Sequence, residues 1–400
     1  MDPQTKAAYP HAVRVLAACS LGGAGHLRPL LPLLDAARAG GHQTLLIGPP
    51  ALAPMAEETG HRFLPGAEPP EEQVRPIREQ LPVLPASEAA VLGDRELFGR
   101  LAATAMLPAT ERVLLDWQPD VVLRDPAEYA SAVAGARLGF PAAQVAIGLA
   151  GVEWGSISVA APALDAYHKG LAGELRQSPY LTRFPGALDP SPFPDTRRYH
   201  EPAQQPQRRL PAWWPGASGP LVYVTFGTVL GHMSIAEEAY QAAIRAVAGL
   251  DARVLLTTGR AFDPDRLRHL DLPGNVHVEA WVDQADVLAE AELVVCHGGS
   301  GTTFGALAAG VPLVVAPVFA DQFANAAAVA AAGAGVQVAT GPDALGNRLP
   351  VSRVHAPLIR DAIAAVLGDG SYRKAAQAVA AEMAAAPALE ELLGHLPRRQ

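Results

Sequence analysis

Four hundred residues, 50% of them hydrophobic and 18% charged, make a globular chain long enough for two or three domains that each bury a core. Only two cysteines occur, Cys19 and Cys296, both inside apolar runs; they exclude a disulfide-stapled scaffold and read as small core hydrophobes of a reducing compartment. The net charge of −9, with no block of Lys or Arg, argues against nucleic acid or an anionic membrane as the main partner. The longest uncharged apolar run, residues 301–320, contains Gly310, Pro312 and Pro317, so it reads as a helix end and a buried parallel strand and not as a membrane span. The N-terminus, with Lys6, Pro10 and a strand-like 13–18, carries no leader pattern, and a cytoplasmic enzyme is expected.

Along the chain, short apolar runs alternate with helical patterns. Residues 14–20 read as a strand, 27–39 as a helix closed by Gly40 and Gly41, 43–47 as a second strand, and 52–59 as a helix closed by Gly60. The Pro-rich stretch 66–87 reads as irregular, followed by a helix over 94–117, a strand at 121–123, a helix over 127–138 and a strand at 142–147. Such alternation demands a parallel sheet, because strands running the same way are joined by crossovers. Between 184 and 220, prolines at 185, 190, 192, 194, 202, 206, 211, 215 and 220 end the periodicity, and a semi-rigid linker is expected. The alternation restarts with a strand at 221–226, a helix over 235–250 and strands at 253–257, 276–279, 293–296 and 312–316. Two parallel α/β domains are therefore expected, joined near mid-chain, without a solenoid repeat.

Glycine-rich turns after strands test for nucleotide chemistry. Gly23-Ala24-Gly25-His26-Leu27-Arg28 has the first two glycines of G-x-G-x-x-G but Arg28 at the third, and the second strand ends in Gly48-Pro49 without an acidic residue to grip a ribose. Gly299-Ser300-Gly301-Thr302-Thr303-Phe304 fails at the same position, and neither G-x-x-x-x-G-K-[ST] nor G-x-S-x-G occurs. Hydride transfer, P-loop hydrolysis and esterase chemistry lose their main signals. After 293–296, however, come His297-Gly298-Gly299-Ser300-Gly301-Thr302-Thr303 and then a helix. Small residues let backbone amides converge at a helix N-terminus, where partial positive charge suits a phosphate or diphosphate, and His297 and two threonine hydroxyls add donors. The same spacing also serves a plain tight turn that needs glycine. A second small-residue loop, Thr225-Phe226-Gly227-Thr228, follows that half's first strand and belongs at the same carboxyl edge.

Residues 279–325 carry, in order, Trp281-Val282-Asp283-Gln284, His297-Gly298-Gly299, Gly310-Val311-Pro312 and Asp321-Gln322. This string resembles the donor-binding box of the inverting GT-B glycosyltransferases, the group containing plant and bacterial natural-product glycosyltransferases, and Gly25-His26 and Asp125 extend the resemblance to the first half. The resemblance implies an α/β GT-B fold of two Rossmann-like parallel-sheet domains facing a central cleft. It divides the chain into an acceptor-binding domain over 1–200, a Pro-rich linker over 201–220, a nucleotide-sugar-binding domain over 221–370 and a C-terminal helix over 371–400 that crosses back. The reaction it implies is transfer of a hexose or deoxyhexose to a hydroxyl with inversion.

By the same resemblance, Trp281 would stack on the nucleobase, with Val282 and Gln284 around the base and sugar. A core tryptophan is the plainer alternative. His297, Gly299, Ser300, Gly301 and Thr302, with Gly227 and Thr228, would surround the diphosphate. Asp321 and Gln322 would bind hexose hydroxyls, though alone they read as an ordinary helix start. Many members that use UDP-sugars carry Glu eight positions after the box histidine to accept both ribose hydroxyls; here Gly305 stands there, which points to a deoxyribose and hence a dTDP-sugar. His26 suits general-base work on an incoming hydroxyl, since an imidazole titrates near about 6.5. Asp125, within Arg124-Asp125-Pro126, matches the family's carboxylate that orients the base; it equally reads as a helix N-cap before Pro126, and both roles can hold.

Acceptor contacts belong to 66–110 and 148–181, where Met106 and Trp154 stand among apolar residues such as Leu81, Phe98 and Leu101. These residues suit a hydrophobic aglycone or simply pack the domain. No cofactor is expected beyond the nucleoside diphosphate sugar, and no metal, since no Asp-x-Asp stands at a strand end. The expected partners are a dTDP- or UDP-sugar donor and a hydrophobic small-molecule acceptor, without nucleic acid or a membrane span, and with a homodimer left open. A sugar-nucleotide epimerase on the same scaffold is one alternative. A non-catalytic partner of another glycosyltransferase is a second, against which the intact His26, Asp125, Trp281, His297 and Asp321-Gln322 argue.

Overall fold

A computed structural model describes residues 12–21, 23–81, 84–202, 205–214, 219–228, 230–233, 235–268, 271–318, 320–339, 351–396 and 398–399. The chain divides into two compact units, the first comprising Met1–Phe184, Asp189–Glu201 and Ala386–Gln400 and the second Pro185–Leu188 and Pro202–Ala385.

The first unit holds seven strands: β1 (Arg14–Ala18), β2 (Gln43–Gly48), β3 (Phe63–Pro65), β4 (Val121–Arg124), β5 (Ala142–Val145), β6 (Tyr180–Thr182) and β7 (Thr196–Arg198). Their order is β3-β2-β1-β4-β5-β6-β7, every pair parallel. Strands buried on both faces must be apolar throughout, and β1 shows why its sequence reads as a continuous run. Its Val15 and Ala17 pack with Leu27, Leu30, Leu33 and Leu34, while Leu16 and Ala18 pack on the opposite face with Val113, Leu114 and Ala130.

The second unit holds β8 (Leu221–Thr225), β9 (Arg253–Thr257), β10 (Val276–Glu279), β11 (Ala291–Cys296), β12 (Leu313–Val315) and β13 (Gly335–Gln337), in the order β10-β9-β8-β11-β12-β13 and again all parallel. Both sheets thus reverse their strand order at the strand that comes first in sequence.

Four differences from the sequence expectations have physical causes. The stretch 66–87 contains helices Glu71–Gln80 and Ala86–Ala90; the first survives Pro76 because Val74 and Ile77 are buried against Leu97 and Leu101, so packing outweighs one missing backbone bond. The expected helix over 94–117 is instead a π-helical segment, Val91–Ala102, running into the α-helix Ala103–Trp117. Within 184–220, Thr196–Arg198 pairs with β6, the nearest proline, Pro194, lying before the ladder and not in it. The helix expected over 371–400 is two helices: Gly370–Ala384 packs against Ser300–Ala308 in the second unit, and Leu389–Gly394, beyond Pro387, packs against Leu31–Ala39 in the first. Among the described residues no helix is long and apolar enough to cross a membrane.

One buried carboxyl in the first unit makes stability depend on pH. Glu153, in the helix Ala150–Asp165, accepts from the Ile147 and Gly148 N–H groups through Oε1 at 2.8 and 2.7 Å, and the Tyr180 hydroxyl donates to its Oε2 at 2.5 Å. Burial pushes its pKa up to about 8, against about 4.3 in a solvated chain. The folded state therefore keeps a proton that the unfolded state releases, so the contribution is full at acid pH and is lost as pH rises toward about 8. Glu153→Gln keeps the acceptor oxygen and removes the titration. Chemical denaturation should show wild-type stability falling between about pH 5 and 8 and that fall flattened in the variant; parallel curves for the two proteins would refute it.

Candidate active site

In a parallel sheet all strands end at one edge, and where the order reverses the two adjoining connections diverge and leave room for a ligand. In the first unit this point lies between β1 and β4, whose ends are level: Ala18 pairs with both Ile47 and Arg124. His26 follows β1 in the short helix Ala24–Leu27, entered through Gly23 at φ +67°, and Asp125 directly follows β4. The topology brings these two residues, 99 apart in sequence, into contact: Nδ1 of His26 lies 3.2 Å from Oδ1 of Asp125.

The Asp125 carboxylate is fully buried, while the His26 side chain is 16% exposed. Asp125 also accepts from the Ser20 N–H through Oδ2 at 2.6 Å and from the Ala127 N–H through Oδ1 at 2.8 Å. Asp125 is not a helix N-cap, since the helix starts at Ala130 behind Tyr129; its bond to Ala127 closes the turn after β4 while it also pairs with His26. Beside it, buried Arg124 donates to the carbonyls of Glu128 and Pro126 at 2.7 and 2.9 Å and to Gln144 Oε1 at 3.1 Å, which fixes the turn after β4. With Nδ1–H donated to the carboxylate, Nε2 of His26 keeps its lone pair, and the buried anion is placed to stabilise an imidazolium. The Phe98 ring stacks on the imidazole at a centroid distance of 5.6 Å and an interplanar angle of 27°; no spacing rule ties position 98 to position 26.

In the second unit the reversal falls between β8 and β11, followed by Gly227-Thr228 and His297. Glycine is required here by close approach. A Cβ on Gly227 would lie 2.7 Å from Cε1 of His297, and one on Gly299 would lie 2.5 Å from its Nε2. Gly298, at φ +91°, backs onto Val315 and the Gln322 carbonyl, where a Cβ would come within 2.8 and 2.9 Å. Burial pushes the His297 imidazole down to about 4, so at neutral pH it is uncharged and can offer a ligand an N–H without a positive charge. Gly299 then opens the helix Ser300–Ala308, whose first turn has no side-chain cap, so the amides of Ser300, Gly301 and Thr302 sit at its positive end. Thr302 is half-buried and Thr228 exposed.

A polar network braces this turn. Asp321 Oδ2 accepts from the Ser300 hydroxyl at 2.9 Å and from the Asn325 amide at 3.0 Å, and Asn325 also donates to the Gly298 carbonyl at 2.8 Å. Asn325 is a site residue that motif reading misses; its only signal is its place one turn after Asp321 on the helix Gln322–Ala331. Gln322 is buried, and its Oε1 accepts from the Val318 N–H at 2.9 Å, so that oxygen orders the preceding loop. Trp281, after β10, is 39% exposed, which sets aside the core alternative, and the Arg260 guanidinium lies 5.0 Å over its ring. Val282 is half-buried and leads into the helix Gln284–Leu288. The Gln284 side chain lies beside Gly305, where a Cβ would be 3.5 Å from its Oε1, and its buried Nε2 has no protein partner.

Of the expected acceptor contacts, Met106 is a core residue: it is 3% exposed, packs with Leu45, Ile47 and Val122, and closes over Gly66, where a Cβ would come within 2.7 Å of its Cε. Trp154 is half-buried in the helix Ala150–Asp165, edge-on to Phe193 at 5.1 Å and beneath the Arg176 guanidinium at 4.6 Å. Residues 148–181 consist mainly of that helix and Leu171–Gln177.

The C-terminal part, residues 241–398, matches the family described as erythromycin biosynthesis protein CIII-like, C-terminal domain. L-demethylnoviosyl transferase of Streptomyces niveus is 31% identical over 380 residues, covering 92% of this chain and 93% of that protein. Elloramycin glycosyltransferase ElmGT of Streptomyces olivaceus is 31% identical over 417 residues, covering 96% and 97%. This chain belongs to the antibiotic-biosynthesis glycosyltransferases. Its fold is the GT-B fold of solved glycosyltransferases such as the spinosyn rhamnosyltransferase SpnG, with a TM-score of 0.73 and 25% identity over 95% of this chain and 98% of that one. SpnG has been solved with thymidine diphosphate and with spinosyn aglycone.

For this glycosyltransferase the glycine spacing gives a direct test. Gly227→Ala meets the His297 ring at a φ of +72°, whereas Gly249→Ala has the same φ of +72° with nothing within 4 Å. Both should lose about 1–2 kcal/mol of stability from the left-handed backbone, but only Gly227→Ala should weaken nucleoside diphosphate binding, tenfold or more by titration calorimetry. Equal binding by the two variants would show that the His297 turn does not hold the diphosphate.

Proposed function

We propose that this glycosyltransferase transfers a hexose or deoxyhexose from a dTDP-sugar to a hydroxyl of a hydrophobic natural product, with His26 as general base oriented by Asp125. The observation that carries this reading is the 3.2 Å contact between a partly exposed imidazole and a fully buried carboxylate at a strand-order reversal. The acceptor O–H loses its proton to Nε2 of His26 as its oxygen bonds to the anomeric carbon. The bond from that carbon to the diphosphate oxygen breaks, the electron pair leaving with the diphosphate. Attack opposite the leaving group inverts the anomeric centre. A base held in this way contributes about 10²–10⁴-fold.

Charge developing on the diphosphate would be met by the amides of Ser300, Gly301 and Thr302, by the neutral His297 and by the Thr228 hydroxyl. Preorganised donors of this kind stabilise a leaving anion without a divalent cation. Trp281, exposed and with the Arg260 guanidinium over its ring, suits stacking on the nucleobase. At Gly305 there is no side chain to accept two ribose hydroxyls, and the amide of Gln284 lies alongside instead. One amide in place of a carboxylate fits the single ring hydroxyl of a deoxyribose, and the thymidine diphosphate complex of SpnG supports the same choice. The relatives' names place their acceptors among antibiotics, which supports a hydrophobic natural product here.

His26→Ala should lower kcat at least 100-fold while thymidine diphosphate affinity stays within a few-fold; turnover near wild type would remove His26 as the base. Asp125→Asn should lower kcat as well, since the amide no longer fixes the tautomer that leaves Nε2 free. Titration calorimetry with dTDP and UDP tests the donor: dTDP should bind more tightly, and a strong preference for UDP would overturn the deoxyribose assignment.

A further inference from the structure

The hydrogen bond from His26 to Asp125 fixes one atom of the imidazole, Nδ1, and a single contact leaves a planar ring free to pivot about that line. Something else must fix the plane if Nε2 is to meet a substrate hydroxyl on each turnover. Among the described residues the ring stacked on it is Phe98, which lies 27° from parallel at 5.6 Å.

Phe98 itself is held on both sides. It belongs to the π-helical segment Val91–Ala102, a rare winding found often at functional sites. Leu97 and Leu101 of that segment are buried with Val74 and Ile77, and Phe98 packs against the same cluster. On the other side Gly99 lets the segment approach the helix Ala150–Asp165, a Cβ at Gly99 lying 3.4 Å from Ala163 and 3.5 Å from Ala160. The phenyl ring is therefore presented from a clamped backbone and not from a mobile loop. A flat ring also differs from an aliphatic side chain of equal size: it holds an imidazole near-parallel, and the negative potential of its face favours the imidazolium formed when the proton arrives.

We propose that Phe98 is a positioning residue for glycosyl transfer: stacked on His26, it sets the imidazole plane so that Nδ1 meets Asp125 while Nε2 points at the acceptor hydroxyl. This rests on His26 being the base. Phe98→Leu and Phe98→Met keep an apolar side chain and remove the ring, and Phe98→Tyr keeps the ring. Phe98→Leu should lower kcat about tenfold or more with the donor KM and the melting temperature little changed, Phe98→Met should match it, and Phe98→Tyr should restore most of the rate. The orientation of the His26 ring gives a second readout that needs no turnover: in a crystal structure of Phe98→Leu the contact of Nδ1 with Asp125 should persist while the imidazole plane turns about it. Unchanged kcat together with an unchanged imidazole plane in Phe98→Leu would overturn the positioning role while leaving His26 as the base. Wild-type turnover by His26→Ala would instead sink the base assignment itself, and the two failures are separable.

Discussion

Parallel strand pairing is the constraint from which the candidate residues of each unit follow. It sends every strand end to one edge, and reversal of the order at β1 and at β8 makes the adjoining connections diverge there. His26 and Asp125 stand at the first of these gaps, and Gly227 and His297 at the second. Neither pair is close in sequence. What joins them is register, since Ala18 is level with Arg124 and Thr225 is level with Cys296.

The two units fill equivalent positions with opposite electrostatics. In the first, a buried carboxylate held by two backbone amides faces an imidazole, an arrangement suited to a positive charge that appears and disappears. In the second, the histidine is driven neutral by burial and surrounded by glycines and backbone amides, so the site offers donors with no mobile charge of its own. Under the proposed function the first histidine must change protonation state, whereas the second would hold a diphosphate without doing so.

The core strands β1, β8 and β11 were legible because burial on both faces writes a near-continuous apolar run, whereas β10 shows as the alternation Val276-His277-Val278-Glu279. The three-residue strands β3, β6, β7 and β13 were not, since Pro65 or the polar Thr196–Arg198 leaves no pattern that outweighs its surroundings. The motif residues were legible in type and order. Their geometry was not: that Gln322 turns inward to Val318, that Asn325 braces Gly298, or that Met106 closes over Gly66 depends on contacts between distant segments. Phe98 marks the limit most clearly, because its direction follows from a π-helical winding with no known local signature.

The crossing at Ala386 also orders events in time. Leu389, Leu392, Leu393 and Leu396 complete the cluster around Leu33 and Leu34 of the first unit, yet the ribosome makes them only after the whole of the second. The unit that emerges first is thus the last to be finished, and until its final helix arrives it must carry an uncovered strip of leucine.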